Sequence, residues 1–211
     1  VMTVAEAGVV SFKTYWTPSF SRKRDIGFND AVDLVEQSLK EAIRVRLRSD
    51  VPLGCFLSGG IDSGLVCALA AQELDRPLKT FSIGFADQGF DERPLARLVA
   101  DRYGTEHREF VVESNIADVE RIIGHYDEPY SDASALPSFA VSQLAAEDVS
   151  VVLNGDGGDE IFAGYRHFIA ARSADRLDRM LSPSMKQLLE KFTALLPVPR
   201  KGRTPYQFLH R

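Results

Sequence analysis

Four short apolar runs, at residues 52–57, 79–85, 107–112 and 149–153, constrain the fold of this chain more than any other feature. The first three are each followed by a segment whose apolar residues recur at helical spacing, and the fourth ends in a glycine-rich acidic loop. A turn-rich stretch at 128–137 and a helical segment at 138–146 separate the third run from the fourth. Strands alternating with helices imply a parallel sheet covered on both faces, because each crossover lays a helix against the sheet. The expected class is therefore α/β. In such sheets ligands bind beyond the carboxyl ends of the strands. Both unusual loops of this chain, 58–63 and 154–160, leave a strand at that end.

The flanking segments are expected to be as follows. Residues 29–48 place Val32, Val35, Leu39, Ala42 and Ile43 on one helical stripe, with Asn29 as the cap. A helix is expected from about 63 to 74, and another begins after Asp91 as its cap, with Pro94 tolerated in the first turn. A further helix is expected at 115–124. Residues 1–25, which contain Pro18 and Ser19, read as a linker; residues 26–172 form the main domain; residues 173–211 form a helical segment that is cut short.

Composition excludes several classes. A hydrophobic fraction of 45% with 26% charged residues fits a soluble globular protein. No apolar run reaches the roughly 18 to 20 residues that cross a bilayer. Val1–Gly8 lacks the basic region and apolar core of a signal peptide, so the expected compartment is the cytoplasm. Cys55 and Cys67 do not form a CxxC pair and sit in apolar stretches, which predicts buried structural thiols. Residues 166–211 carry ten Lys or Arg against three acidic residues. Those charges lie along helical stretches with no aromatic platform, so a solvated or domain-facing surface is expected rather than a nucleic-acid contact.

The loop Leu57-Ser58-Gly59-Gly60-Ile61-Asp62-Ser63 joins a buried strand to a helix through two glycines. Backbone N–H groups at that helix start, with the Ser58 and Ser63 hydroxyls, can hold an anion. Asp62 would repel a phosphate unless Mg²⁺ lay between them, an ion that favours one or two carboxylates plus phosphate oxygens. The loop is neither a Walker A motif nor a dinucleotide fingerprint. The bland alternative is a tight turn in which Asp62 only caps the helix. In the second loop Asp156, Asp159 and Glu160 lie within five residues among glycines. Like charges so close call for a balancing cation, or else the loop is simply a solvated turn. The four histidines are scattered without metal spacing and read as surface or packing residues.

The first loop matches the SGGxDS signature of the PP-loop ATP pyrophosphatase superfamily at every specified position. NAD, GMP and argininosuccinate synthetases and tRNA-thiolating enzymes share related loops. Three further segments choose among them. These are Asp50-Val51-Pro52-Leu53-Gly54; Phe81-Ser82-Ile83-Gly84-Phe85 with Asp91-Glu92; and Tyr126-Asp127-Glu128-Pro129 with Asp132-Ala133-Ser134 and Pro137, then Asn154-Gly155-Asp156-Gly157-Gly158-Asp159-Glu160 with Phe162, Gly164 and Tyr165. Together they resemble the synthetase domain of the glutamine-dependent asparagine synthetase family over about residues 10–170. The resemblance implies a three-layer PP-loop fold that binds ATP and Mg²⁺. It implies that Leu57, Ser58, Gly59, Gly60, Asp62 and Ser63 hold the pyrophosphate, that Ile83, Gly84 and Gly155 flank the adenine, and that Asp62 and Asp159 bind the metal. Asp156 takes the position of the acid thought to deprotonate ammonia, where some relatives carry Glu. Asp132 and Ser134 are assigned to the amino-acid substrate.

The activity so implied is adenylation of the aspartate side chain, then transfer of ammonia from glutamine to give asparagine, AMP and pyrophosphate. Rivals are the same chemistry on another carboxylate, in a polysaccharide, a peptide or a β-lactam precursor, and a non-catalytic ATP-binding domain. Neither an N-terminal cysteine nor a Lys-x-Asp-Arg-x-Ser-Met segment occurs in this sequence. The expectation is thus a middle piece of a longer protein, itself slow or inactive, whose glutaminase domain lies elsewhere and whose full-length form is a candidate homodimer. No nucleic-acid or membrane partner is expected.

Overall fold

The four apolar runs become the four strands of one parallel sheet, in a computed structural model that describes residues 1–5, 8, 10–85, 91–112, 116–128, 132, 134–182 and 185–186. The strands are β3 (Leu53–Phe56), β4 (Lys79–Phe85), β5 (Glu106–Val112) and β6 (Val151–Leu153), in the order β5-β4-β3-β6. Cys55 pairs with Thr80 on one side and Leu153 on the other, and Thr80 with His107. β1 (Met2–Val4) and β2 (Val10–Phe12) form a separate antiparallel pair that is exposed throughout. The segment read as a linker thus contains a short ribbon.

Helices cover both faces, as an α/β chain requires. α1 (Phe28–Arg46), α2 (Ile61–Gln72) and α3 (Arg93–Tyr103) belong to one face. There Leu53, Cys55 and Leu57 pack with Ile43, Cys67, Leu69, Ala70, Ala96 and Ala100. On the other face α5 (Ala135–Ala146) brings Ala145, Val141 and Leu144 onto Phe56, Phe81 and Val152, and α4 (Ile116–Tyr126) packs on α5. Phe81, 1% exposed, is the largest fully buried side chain among the described residues. Burying a side chain of that size stabilises by roughly 1.5–3 kcal/mol. Gly54 makes room for it, since a Cβ there would lie 2.7 Å from the Phe81 ring.

The opposite face of β4 is polar. Thr80 and Ser82 are buried and hydrogen-bond His107, with Thr80 Oγ1 at 2.9 Å from Nδ1 and Ser82 Oγ at 3.2 Å from Nε2. Thr80 also meets the Thr105 hydroxyl at 2.8 Å, so these buried groups are satisfied among themselves. Arg97 of α3 pairs with Glu109 of β5 beside them. Cys55 and Cys67 are buried and unbridged, as the sequence predicts. A hydrogen bond with Cys67 and then burial push the Cys55 thiol up, so it is inert as a nucleophile.

Several expected boundaries move. Gly27, in extended backbone, is the N-cap of α1, and Asn29 lies inside the first turn. Glu92, not Asp91, precedes α3; Asp91 instead accepts the Arg93 amide and binds the Arg93 guanidinium. α2 starts at Ile61, which puts Asp62 and Ser63 inside its first turn. α5 starts at Ala135 and carries Pro137 in its first turn, where a missing N–H has no consequence. After α6 (Gly158–Phe162), α7 runs from Arg166 to Met180, continuous through residue 172, where a domain boundary was expected. Residues 187–211 of the expected C-terminal helical segment lie outside the described residues, as do Pro129 and Ala133. Among the described residues no helix is long and apolar enough to cross a membrane.

Candidate active site

Both unusual loops open into one cavity of about 1050 Å³ at the carboxyl ends of β3 and β6. Ser58, Asp62 and Ser63 line it from the first loop, and Asp156, Asp159 and Glu160 from the second. The first loop is laced on itself. Ser63 Oγ accepts the Ser58 amide at 3.2 Å, meets Ser58 Oγ at 2.9 Å, and lies 3.3 Å from Gly60 O as donor; Ser58 Oγ accepts the Gly60 amide at 3.3 Å. The two hydroxyls expected to grip an anion are therefore engaged in shaping the turn. The backbone is also open to an anion. Gly60 caps α2 without a side-chain hydrogen bond, and the amides of the first helical turn have no acceptor within a helix.

Gly59 has φ +85°, a conformation that glycine adopts without strain. It also presses on α3, where a Cβ would stand 2.8 Å from Leu95 Cβ and 2.9 Å from Glu92 O. Leu57 is 1% exposed and belongs to the core, and its amide donates to Phe81 O at 2.9 Å. It shapes the site from beneath.

The second loop is more open. Asn154 Nδ2 donates to Asp156 Oδ2 at 2.7 Å, and Asn154 Oδ1 accepts the Asp156 amide at 3.3 Å, so this pair fixes where the Asp156 carboxylate stands. Tyr165 donates to Glu160 Oε1 at 2.8 Å, and its ring stacks on His167 with centroids 5.2 Å apart. The hydrogen bond to Glu160, with burial and the nearby carboxylates, raises the Tyr165 phenol above its usual range, so it stays a donor. Gly155 packs directly on the start of α2: a Cβ there would lie 2.6 Å from the Ser63 nitrogen.

A smaller cavity of about 220 Å³ lies next to the first, lined by Phe56, Leu57, Phe81, Ile83, Phe85 and Val141 among others. Ile83, which the resemblance assigns to adenine, lines this smaller cavity. Gly84 points to the other face of β4, where its Cβ position is filled by Arg93 and by Asp91 Oδ1. Gly155 does not line this smaller cavity but does line the larger one. Asp132 and Ser134 engage each other at the start of α5. The Ser134 amide donates to Asp132 Oδ1 at 2.8 Å, which holds that carboxyl below its usual range. Neither residue lines either cavity. The sequence reading missed Val35 of α1 and Ser138, Val141 and Ser142 of α5, all of which line the larger cavity. Two serines four residues apart in a largely apolar helix were the signal for the last group.

The donors fit Mg²⁺. Asp62 and Asp159 offer hard oxygen ligands in one cavity, and the Asp62 carboxylate occupies the place a Gly158 side chain would fill, one residue from Asp159. Among the described residues no group of three or more Asp, Glu, His or Cys is arranged to hold an ion unaided. Two carboxylates with the rest of the shell from phosphate and water is the arrangement this ion prefers.

Comparison with known proteins gives a consistent result. The asparagine synthase family profile matches residues 34–210. An asparagine synthetase [glutamine-hydrolyzing] 1 of Bacillus subtilis is 34% identical over 96% of this chain and 32% of its own length. A putative asparagine synthetase [glutamine-hydrolyzing] 2 of Methanocaldococcus jannaschii is 42% identical over 64% of this chain and 27% of its own. This chain therefore spans about a third or less of the length of these curated relatives. Among solved structures, an NH3-dependent NAD synthetase from Campylobacter jejuni aligns with 63% of this chain and 60% of its own at a TM-score of 0.42 and 18% identity. By the extent of the profile match and of the shared sequence, this chain belongs to the asparagine synthase family.

Proposed function

We propose that this chain is the ATP-handling part of a ligase that adenylates the side-chain carboxylate of aspartate and transfers glutamine-derived ammonia to it, giving asparagine. The observation that carries the reading is the convergence of the glycine-rich turn at the start of α2 with three carboxylates of the second loop in one cavity. An aspartate oxygen attacks the α-phosphorus of ATP, the bond to the β-phosphate oxygen breaks, and pyrophosphate leaves toward the first-turn amides of α2. These amides are fixed before reaction, which lets them stabilise developing charge without reorganisation. Ammonia then attacks the acyl carbon and AMP departs, while Asp156, held by Asn154, takes the proton.

Asp62 and Asp159 are the residues that would hold Mg²⁺, which supplies charge neutralisation on the phosphate oxygens when bound. The small apolar cavity beside Ile83 would receive the adenine, a reading supported by the Ser58 lining that it shares with the larger cavity. Asp132 and Ser134 remain assigned to the amino-acid substrate as part of this proposal. Lining neither cavity, they would act from the start of α5, where the Ser134 amide donates to Asp132. Two buried, unbridged thiols accord with a reducing compartment such as the cytoplasm.

The test is aspartate-dependent exchange between ATP and radiolabelled pyrophosphate in the full-length protein that contains this chain. Exchange that requires aspartate and disappears in Asp62→Asn supports the reading. Exchange driven by another carboxylic acid, with aspartate inert, would reassign the substrate.

A further inference from the structure

Two glycines of the second loop are present for a reason other than backbone freedom. A Cβ built on Gly158 meets the Asp62 carboxylate, with Oδ2 at 2.5 Å and Oδ1 at 2.8 Å. A Cβ on Gly164 meets the Asp159 carboxylate, Oδ1 foremost and Cγ at 3.0 Å. Neither glycine has a positive φ; in this loop that conformation falls on Gly157 and Ala163. Ala163 is the informative neighbour. It caps the C-terminus of α6 with φ +56°, in the left-handed region where glycine is the unstrained choice. The sequence thus has alanine where the backbone favours glycine, and glycine one residue later, where no left-handed φ calls for it. What requires a bare Cα at 164 is the Asp159 side chain. At 158 the requirement comes from Asp62, on a different helix.

We propose that Gly158 and Gly164 are positioning residues for the metal-binding carboxylates, Gly158 seating Asp62 and Gly164 seating Asp159. The inference rests on the metal role given to those two aspartates above. A methyl group at either position pushes that carboxylate out of its present place. Mg²⁺ demands near-ideal octahedral geometry at about 2.0–2.1 Å, whereas Ca²⁺ accepts looser shells at about 2.3–2.6 Å. A seat that sets carboxylate position therefore affects Mg²⁺ more than Ca²⁺, which a general loss of structure does not do.

The experiment is calorimetric titration of this chain with pyrophosphate at increasing Mg²⁺ or Ca²⁺, with circular dichroism as the check on folding. Wild type is expected to bind pyrophosphate in a metal-dependent way. Gly164→Ala and Gly158→Ala are each expected to need at least tenfold more Mg²⁺, with a smaller shift for Ca²⁺. Gly164→Ala/Asp159→Asn should bind no more weakly than Asp159→Asn alone, and likewise for Gly158→Ala with Asp62→Asn, because each glycine acts through its aspartate. Ala163→Gly should leave the Mg²⁺ requirement unchanged. Alanine variants with the wild-type Mg²⁺ requirement, equal shifts for both ions, or additive losses in the doubles overturn the inference while leaving the proposed function standing. Wild type that binds pyrophosphate without regard to metal overturns the metal reading itself and the inference with it. If an alanine variant does not fold, the clash is tested by removing the carboxylate: Gly164→Ala/Asp159→Ala and Gly158→Ala/Asp62→Ala should recover the fold, and failure to do so overturns the assignment.

Discussion

The loop after β3 and the loop after β6 face one cavity but are held in opposite ways. The first is closed by its own hydroxyls, floored by the buried Leu57 and pressed on α3 through Gly59. The second is largely exposed, and its carboxylates are oriented one at a time by side-chain partners, Asn154 for Asp156 and Tyr165 for Glu160. A turn built into the core can offer only its backbone, and it offers it rigidly. A turn held by pairwise contacts offers side chains, each adjustable without disturbing the rest. Damage to the first loop should therefore appear as lost stability, and damage to the second as lost chemistry.

Asp62 breaks this division, because it belongs to the first loop by sequence and to the second by contact. Asp62→Asn should lower pyrophosphate release by the full-length protein on the order of 10²–10³-fold, the usual scale for one preorganised charge-stabilising group, with little change in melting. Gly59→Ala combines a strained φ with a collision against α3 backbone and should destabilise by about 3 kcal/mol in urea unfolding. Ser63→Ala removes the acceptor of the Ser58 amide and should cost about 1–2 kcal/mol by the same measurement. Asn154→Ala should change stability by less than about 0.5 kcal/mol. It should nonetheless slow ammonia-dependent turnover roughly tenfold, a fraction of what a positioned base contributes. Equal stability losses in Ser63→Ala and Asn154→Ala would erase the contrast.

The smallest effect lies outside both loops and serves as their control. Burial, against the pull of Glu109, holds His107 below its usual pKa of 6.5. A base with a depressed folded pKa leaves the unfolded chain binding more protons below pH 6.5, so its contribution is full above that pH and declines as pH falls through it. Urea midpoints at pH 7.5 and 5 should therefore differ less in His107→Gln than in wild type, with pyrophosphate affinity unaltered at pH 7.5.

The strands were legible because each is a dense apolar run between turn residues; β4 falls on the residues expected, Lys79–Phe85. Helix starts were less so. Pro94 was read as a first-turn proline and Pro137 as a loop residue, although the same physics admits both. Of the candidate site, the residues that meet in the cavity were those whose clustering is local in sequence, 58–63 and 154–160. Contacts made across elements left no such trace. Nothing in the order of residues announces that Arg93 fills the space beside Gly84, or that Gly155 rests on Ser63. Facing direction along β4 is recoverable from strand alternation: Phe81 and Ile83 turn one way, and Thr80, Ser82 and Gly84 the other.

The strand order has a consequence for how the molecule is made. β3 lies between β4 and β6, so the edge against which the second loop forms stays bare until Val151–Leu153 arrive, about a hundred residues after the first turn has left the ribosome. Until then the nascent chain has half a binding site and an open strand edge, the condition in which partly made α/β chains pair wrongly. A ligand that spans both loops would act as a clasp on β6, the last strand among the described residues, and its capture would report that synthesis had passed the point of safe closure.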